Sequence, residues 1–371
     1  MRVAFLTWRD TGHPDGGGSE VYVEKVAAVL ARRGHDVTLV TARYPGSRAR
    51  EVHRGVRVRR AGGRLSVYPR GLLWLLSRDG RRQDVVVDVV NGLPFAARLV
   101  RRRGLLALVH HVHRQQWRII YPGAAGRVGW FVESVLTPRL YRSVHHVTVS
   151  DASRSDLVAL GISAHLVRVV RNGIDPQPAD PIPGAQRSST ARLCVLSRLV
   201  PHKQIEHALE VLAALRREDT DLELDVIGDG WWRDRLVRRA TELGVAGATT
   251  FHGHVDESEK RRLLAHAWVA LLPSVKEGWG LVVLEAAAAG TPTVAYRSAG
   301  GVTESVVDGE TGVLVDDLHG MGATVRRLVR DPDERARLGA EARARAARFD
   351  WEATGVEFEN ALRATVSGRR S

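Results

Sequence analysis

The chain has 371 residues, 44% of them hydrophobic, with one cysteine and a formal net charge of +13. That length exceeds one ordinary domain and suits two. A lone cysteine excludes an internal disulfide framework, so a reducing cytosol is expected. The positive charge favours anionic partners such as nucleotide phosphates, acidic membrane surfaces or nucleic acid, although arginine spread over solvated faces gives the same total.

The apolar run in residues 1–8 is too short for a signal peptide, and no stretch has the length of a membrane-spanning helix. Residues 3–7 read as a central strand, followed by the glycine-rich loop Gly16-Gly17-Gly18-Ser19-Glu20. Helical spacing then runs over 21–33, with Val21, Val23, Val26, Ala27 and Leu30 on one side, and Gly34 ends it. Residues 36–41 are the next strand, so the unit predicts a parallel sheet. The glycines lack the third position and the acidic residue of a dinucleotide fingerprint. What remains is a helix N-terminus with amides able to meet a phosphate or an acceptor, or else a plain surface loop.

Strand-like residues 56–58 precede a basic apolar segment over 68–78, which suits a core helix or a membrane-surface helix. Residues 84–90 and 105–109 are further buried strands. The second ends in His110-His111-Val112-His113, where open α/β sheets bind ligands. A zinc cluster fits the composition, but alternate residues on a strand point to opposite faces. Residues 127–141 have helical spacing, 145–149 and 167–170 are strands, and 151–160 form a helix between them. Residues 176–190, rich in Pro, Ala, Ser and Gly, read as a linker.

The second half repeats the alternation. Strand 192–196 contains Cys194, read as a buried strand residue, and ends in a loop carrying Arg198 and Lys203. A guanidinium and an ammonium there can grip one diphosphate. Strand 222–227, helix 232–243, strand and turn 250–255 and helix 257–267 follow. Residues 269–272 are a short buried strand. Gly278 and Gly280 break the following turn, and 281–289 form an Ala-rich helix closed by Gly290. Glu277 stands just before that helix and Glu285 just over one turn inside it. The two carboxylates would bracket an anion-binding turn, one for sugar hydroxyls and one for a ribose. Asp331-Pro332-Asp333 matches an Asp-x-Asp metal motif in form, but it reads as a helix cap. No metal is expected.

The Glu277 to Glu285 spacing resembles the Glu-x7-Glu motif of retaining glycosyltransferases of family 4, which have the GT-B fold. The resemblance covers most of both halves. Gly-Gly-Ser-Glu at residues 17–20 with Gly-His-Asp-Val-Thr-Leu-Val at 34–40 is similar to the family's acceptor-domain opening, and 172–175 to its domain crossover. Arg198-Leu199 with Lys203 keeps the basic pair, while Ser197 stands where the family has glycine. The turn 298–304 is similar to the family's glycine turn.

The resemblance implies two Rossmann-like domains facing across a cleft: 1–175 for the acceptor, and 191–350 for a nucleotide-sugar donor. The terminal helix in 351–371 would cross back onto the first. It implies a histidine near the donor sugar, here His110 or His111, with His113 a further candidate. His254 and Val255 would edge the base, and Gly278, Trp279, Gly280 and Leu281 would offer donors around Glu277. Uracil is the base expected of the donor. The reaction implied is metal-free, cofactor-free transfer with retention, through a front-face, oxocarbenium-like state, in the cytoplasm or at the inner face of the membrane, by a monomer or homodimer. The acceptor is a small polyol or aminocyclitol, a lipid head group or a polysaccharide end. A sugar-nucleotide epimerase or a phosphorylase shares the fold. A nucleic-acid-binding protein is the rival of another class, but the arginines are dispersed without interleaved aromatics.

Overall fold

The structure, a computed structural model, describes residues 1–176, 187–218 and 220–367. The chain divides into two units, Met1–Gly173 with the residues from Asp350 onward, and Ile174–Phe349.

The first unit opens with β1 (Arg2–Leu6), α1 (Gly18–Arg32) and β2 (Asp36–Thr41). A hairpin of β3 (Arg50–His53) and β4 (Val56–Arg60) leads through α2 (Val67–Leu76) and α3 (Arg78–Arg81) to β5 (Val85–Val90) and β6 (Leu105–Val109). α4 (Arg114–Ile120), α5 (Ala124–Phe131) and α6 (Thr137–Tyr141) precede β7 (His145–Thr148), α7 (Asp151–Ala159) and β8 (Val167–Val169). The eight strands lie in the order β3-β4-β2-β1-β5-β6-β7-β8, and every pair but β3–β4 is parallel. β5, Val-Val-Val-Asp-Val-Val, is buried along its whole length, as expected of a parallel strand covered on both faces. Its one acid, Asp88, accepts the N–H of Phe95 at 3.0 Å, the N–H of Ala97 at 3.1 Å and the Tyr141 hydroxyl. Asp88 thus fixes the loop that leaves β5.

Several elements differ from the sequence reading. α1 begins at Gly18 rather than residue 21, because the Glu20 carboxylate folds back to accept the Gly17 N–H at 2.8 Å. The helical segment over 127–141 is interrupted by a π-helical turn at Val132–Leu136. β3 escapes periodicity because its Arg-Glu-Val-His sequence is a charged sheet edge. α2 turns Val67, Gly71 and Leu75 inward and leaves Leu73 exposed.

The second unit contains β9 (Ala191–Leu196), α8 (Ile205–Arg216), β10 (Leu222–Ile227), α9 (Arg233–Glu242), β11 (Thr249–Gly253) and α10 (Glu257–His266). β12 (Val269–Leu272), α11 (Leu281–Ala288), β13 (Thr293–Tyr296), α12 (Val302–Ser305) and β14 (Gly312–Val315) follow, then α13 (Leu318–Arg330) and α14 (Pro332–Ala346). The sheet is parallel, in the order β11-β10-β9-β12-β13-β14. Cys194 is fully buried on β9. Asp331 caps α14, its carboxylate accepting the Glu334 N–H at 2.8 Å. The linker expected over 176–190 lies outside the described residues at 177–186. Its last residues belong to the second unit, where Ser188 donates its N–H to His266 at 3.0 Å and Arg187 reaches the Gly290 carbonyl at 2.7 Å.

α15 (Trp351–Ser367) returns to the first unit and packs along α1. Gly355 permits the close approach, since a Cβ there would meet Val29 at 2.2 Å. Phe358 stacks on Phe5 with ring centroids 5.8 Å apart. Glu359 accepts from Arg33, Arg363 and His35. Burial alone would raise its carboxyl, but these bonds hold it at about 2. No helix among the described residues is long and apolar enough to cross a membrane.

Two histidines of the first unit, His146 on β7 and His110 just past β6, are buried, and burial pulls each from 6.5 down to about 4. The unfolded chain binds protons that the native unit refuses, so stability is complete above pH 6.5 and falls as pH drops toward about 4. The loss approaches ~3 kcal/mol per histidine at the low end. His146→Asn should remove one proton from this dependence. Denaturant unfolding at pH 7 and 4.5 should show a smaller acid loss in the variant, and an identical loss would contradict the burial argument.

Candidate functional site

In the second unit the chain runs outward from β9 through β10 to β11, and in the other direction from β12 through β13 to β14. The crevice beyond the carboxyl ends of β9 and β12 is therefore a topological switch point, where open α/β sheets hold ligands. Two loops meet there. Val275, after β12, donates its N–H to the His202 carbonyl, after β9, at 3.0 Å. Glu277 is tied to a third loop, donating to the Ala299 carbonyl at 2.8 Å and accepting from the Gly301 N–H at 3.2 Å. These bonds bring Lys203 Nζ to 2.5 Å from Glu277 Oε1, with the two side chains only 15% and 12% exposed.

Arg198 is half-buried on the same β9 loop. The loop is pinned on both sides of it: Ser197 donates its N–H to the Ile227 carbonyl and Leu199 to the Asp229 carbonyl, each at 2.9 Å. Gly228, at φ +119°, is required there, because a Cβ would lie 2.0 Å from the Ser197 carbonyl oxygen. Ser197 avoids positive φ and donates its hydroxyl to the Arg198 carbonyl at 3.0 Å, so the departure from glycine costs no backbone strain. The strained residue is Gln204, at φ 48° and ψ 42° between Lys203 and α8.

Gly280, at φ +85°, turns the chain into α11, with Leu281 as its first residue. Gly278 is buried beside it. Trp279 is 2% exposed and packs edge-on against Phe349 at 5.7 Å, so its indole belongs to the core. The sequence reading assigns the amides of this turn, not the indole, to the donor. Glu285 pairs with Lys260 at 2.6 Å, and Lys260 also pairs with Glu257 at 2.7 Å. Burial pushes the Glu285 carboxyl up, against the field of Lys260. Lys260 lies on α10, far from the motif in sequence, and no spacing pointed to it. His254 and Val255 follow β11, whose end joins that of β10 through the Gly228 N–H and Gly253 carbonyl at 2.9 Å. His254 is exposed there and Val255 half-buried.

In the first unit the corresponding switch lies between β1 and β5. Partner accounting separates the three histidines after β6. His113 is fully engaged, Nδ1 with Glu133 at 2.9 Å and Nε2 with Asn91 at 3.0 Å. His111 Nε2 meets Gln116 at 2.9 Å. His110 is 7% exposed, lies edge-on to Tyr22 at 5.2 Å, and neither ring nitrogen has a partner. A buried imidazole with two unsatisfied nitrogens departs from the usual pairing of buried polar groups. Among the described residues no group of three His, Cys, Asp or Glu converges on a metal position.

The glycine loop is less open than the sequence suggested. Gly16 donates its N–H to the His13 carbonyl at 2.7 Å, Gly17 to Glu20, and Gly18 begins α1. The buried Glu20 carboxylate thus fills part of the anion-accepting turn, neutralised by Arg9 at 2.9 Å and touched by Asn91 at 3.4 Å. Sequence reasoning missed this role of Glu20.

Two family models match the chain: Glycosyl transferases group 1 over residues 180–345 and Glycosyltransferase Family 4 over residues 16–178. The glycogen synthase of Mycobacterium tuberculosis is 30% identical over 413 residues, covering 100% of this chain and 96% of that protein. Sucrose-phosphate synthase from Thermosynechococcus elongatus superposes with a TM-score of 0.82 at 20% identity, over 99% of both chains. Anabaena HepE in complex with UDP and glucose superposes with a TM-score of 0.75 at 20% identity, over 98% of this chain and 99% of that one.

The left-handed backbone at Gln204 gives a direct test of the loop geometry. Left-handed backbone costs a side-chain-bearing residue ~1–2 kcal/mol, part of which glycine returns as unfolded-state entropy. Gln204→Gly should be neutral or stabilising by up to ~1 kcal/mol, whereas Gln204→Val should destabilise by ~1 kcal/mol or more. Equal unfolding free energies for the two variants would rule out the strained turn.

Proposed function

Because the chain belongs to the family 4 glycosyltransferases of the GT-B fold, we propose that it moves a sugar from a UDP-sugar to an acceptor hydroxyl with retention at the anomeric carbon. The observation that carries this reading is the Lys203–Glu277 contact at the switch point of the second unit. In this reading Lys203 is the cation for a diphosphate and Glu277 the carboxylate for sugar hydroxyls. The UDP and glucose of the HepE complex support the choice of donor for a chain of this fold.

In this reading Arg198 takes two oxygens of the diphosphate through its planar fork. Lys203 has three N–H donors, so it can serve a phosphate oxygen while keeping Glu277. Glu277 accepts from donor-sugar hydroxyls, with the amides of Gly278, Trp279, Gly280 and Leu281 around the phosphates. Glu285 accepts from the ribose, held in place by Lys260, and the backbone at His254 and Val255 edges the base. The bond from the anomeric carbon to the diphosphate oxygen breaks while the acceptor oxygen bonds to that carbon on the same face. The acceptor proton passes to the departing diphosphate oxygen. Charge grows on that diphosphate, and Arg198 and Lys203 stabilise it where it grows. His110, neutral at physiological pH, contacts the sugar or the departing oxygen. The proposed transfer calls for neither a metal nor a cofactor. The acceptor is a polyol, a lipid head group or a glycan end, and the basic first unit suits one held at an anionic membrane surface.

A thermal-shift screen of nucleoside diphosphates tests donor binding. UDP at 100 times its dissociation constant should add about 2.7 kcal/mol of stability. No shift with UDP alongside one with GDP would overturn the base assignment. Glu277→Gln should leave UDP binding nearly intact and slow transfer from the sugar nucleotide, and Lys203→Ala should cost roughly 3–4 kcal/mol of barrier. Full transfer rates in either variant would remove that residue from the mechanism.

A further inference from the structure

A cavity of about 530 Å³ lies in the first unit between the β3–β4 hairpin and the α2–α3 corner. Arg2 and Asp36, the first residues of β1 and β2, line it, so it opens at the amino-terminal rim of the sheet. The glycine loop and His110 leave the opposite rim, a strand length of ~17 Å away. The cavity is therefore separate from the site described above.

Its charge is unbalanced. Five guanidiniums, those of Arg2, Arg50, Arg57, Arg59 and Arg82, face three carboxylates, and one of the three, Glu51, is drawn to Arg60. Arg57 pairs with Asp36, and Arg59 with Asp79 at 2.7 Å. Among the described residues Arg2, Arg50 and Arg82 make no side-chain hydrogen bond or ion pair. Register sharpens the imbalance, because Arg50 on β3 stands directly opposite Arg59 on β4. Like charges opposite one another in an antiparallel pair destabilise it, and a bound anion between them would relieve the cost. The carboxyl of Asp79 is held below its usual range, first by its hydrogen bond from Arg59 and then by the fields of Arg59, Arg82 and Arg57. The wall also carries two buried polar atoms without partners, Trp74 Nε1 and Gln83 Oε1, one a donor and one an acceptor.

We propose that this cavity binds a small phosphorylated polyol, such as a hexose monophosphate. Its phosphate is taken by the unpaired guanidiniums and its hydroxyls by Trp74 and Gln83. Guanidiniums suit phosphate oxygens in planar pairs, an indole N–H suits a hydroxyl oxygen, and an amide oxygen suits a hydroxyl proton. A ligand at this rim touches none of the residues assigned to transfer, so it would act as an effector rather than a reactant.

Isothermal titration of the full chain with glucose 6-phosphate, inorganic phosphate and glucose, with and without saturating UDP, tests the proposal. Glucose 6-phosphate should bind saturably, more tightly than inorganic phosphate, and UDP should not displace it. Glucose alone should not bind. The double variant Arg50→Gln/Arg82→Gln should lose about tenfold or more in affinity, as expected for charge-assisted hydrogen bonds, with unliganded thermal unfolding unchanged or raised. If that variant unfolds early, Arg2→Gln should show the same loss of affinity. Absence of binding, displacement by UDP, or full affinity in the variants would overturn the site. Equal affinity for inorganic phosphate would overturn the polyol assignment.

Discussion

The contact between Lys203 and Glu277 organises the second unit. Both side chains are largely withdrawn from water. Desolvation offsets much of the attraction in such a pair, so its presence is a weak argument for stability. Its placement is the better explanation. The β9 loop, the β12 loop and the glycine turn after β13 are stitched together by backbone hydrogen bonds at Val275 and Glu277, and the ion pair sits where the stitches meet. In the proposed reaction, charges held in place this way would leave little reorganisation for the moment of transfer. Gly228 belongs to the same construction, because only a residue without Cβ lets the β10 turn press on the Ser197 carbonyl.

The first unit solves a related problem with buried polar chains. Arg9, Glu20, Asn91, His113, Glu133 and the Trp117 indole form a continuous series of contacts across the ends of β1, β5 and β6. Each member satisfies another, which is what permits Arg9, Glu20 and Glu133 to be buried. His110 stands beside this series without joining it through its ring. The contrast singles it out among the three histidines after β6 as the one with neither ring nitrogen bonded.

Much of this was legible in the sequence. Strands such as β5, β9 and β12 announced themselves as short apolar runs, and Gly34, Gly244 and Gly290 marked helix ends through positive φ. Glu277 and Glu285 stood out because their spacing resembles a family motif, since a glycine-broken turn and an Ala-rich helix suit a plain capped helix equally well. Illegible features were those set by partners distant in the chain. Lys260 reaches Glu285 across two helices, and Glu20 turns inward because Arg9 meets it. The three histidines after β6 look alike in sequence; only their neighbours tell them apart. The π-turn at 132–136 leaves the apolar spacing nearly unchanged, so periodicity could not report it. The indole of Trp279 packs on Phe349, seventy residues on, a contact that no local spacing reports.

The return of α15 to the first unit has a consequence for biosynthesis. The ribosome makes that unit's sheet first, yet the helix that covers Phe5, Tyr22 and Val29 is the last element of the described chain to emerge. Throughout translation of the intervening second unit, an apolar strip along α1 and β1 waits uncovered. Domains generally fold in the order they are synthesised; here the first unit is completed only after the second has been made. The nascent protein therefore depends on whatever shields that strip in the meantime, a burden the finished molecule no longer displays.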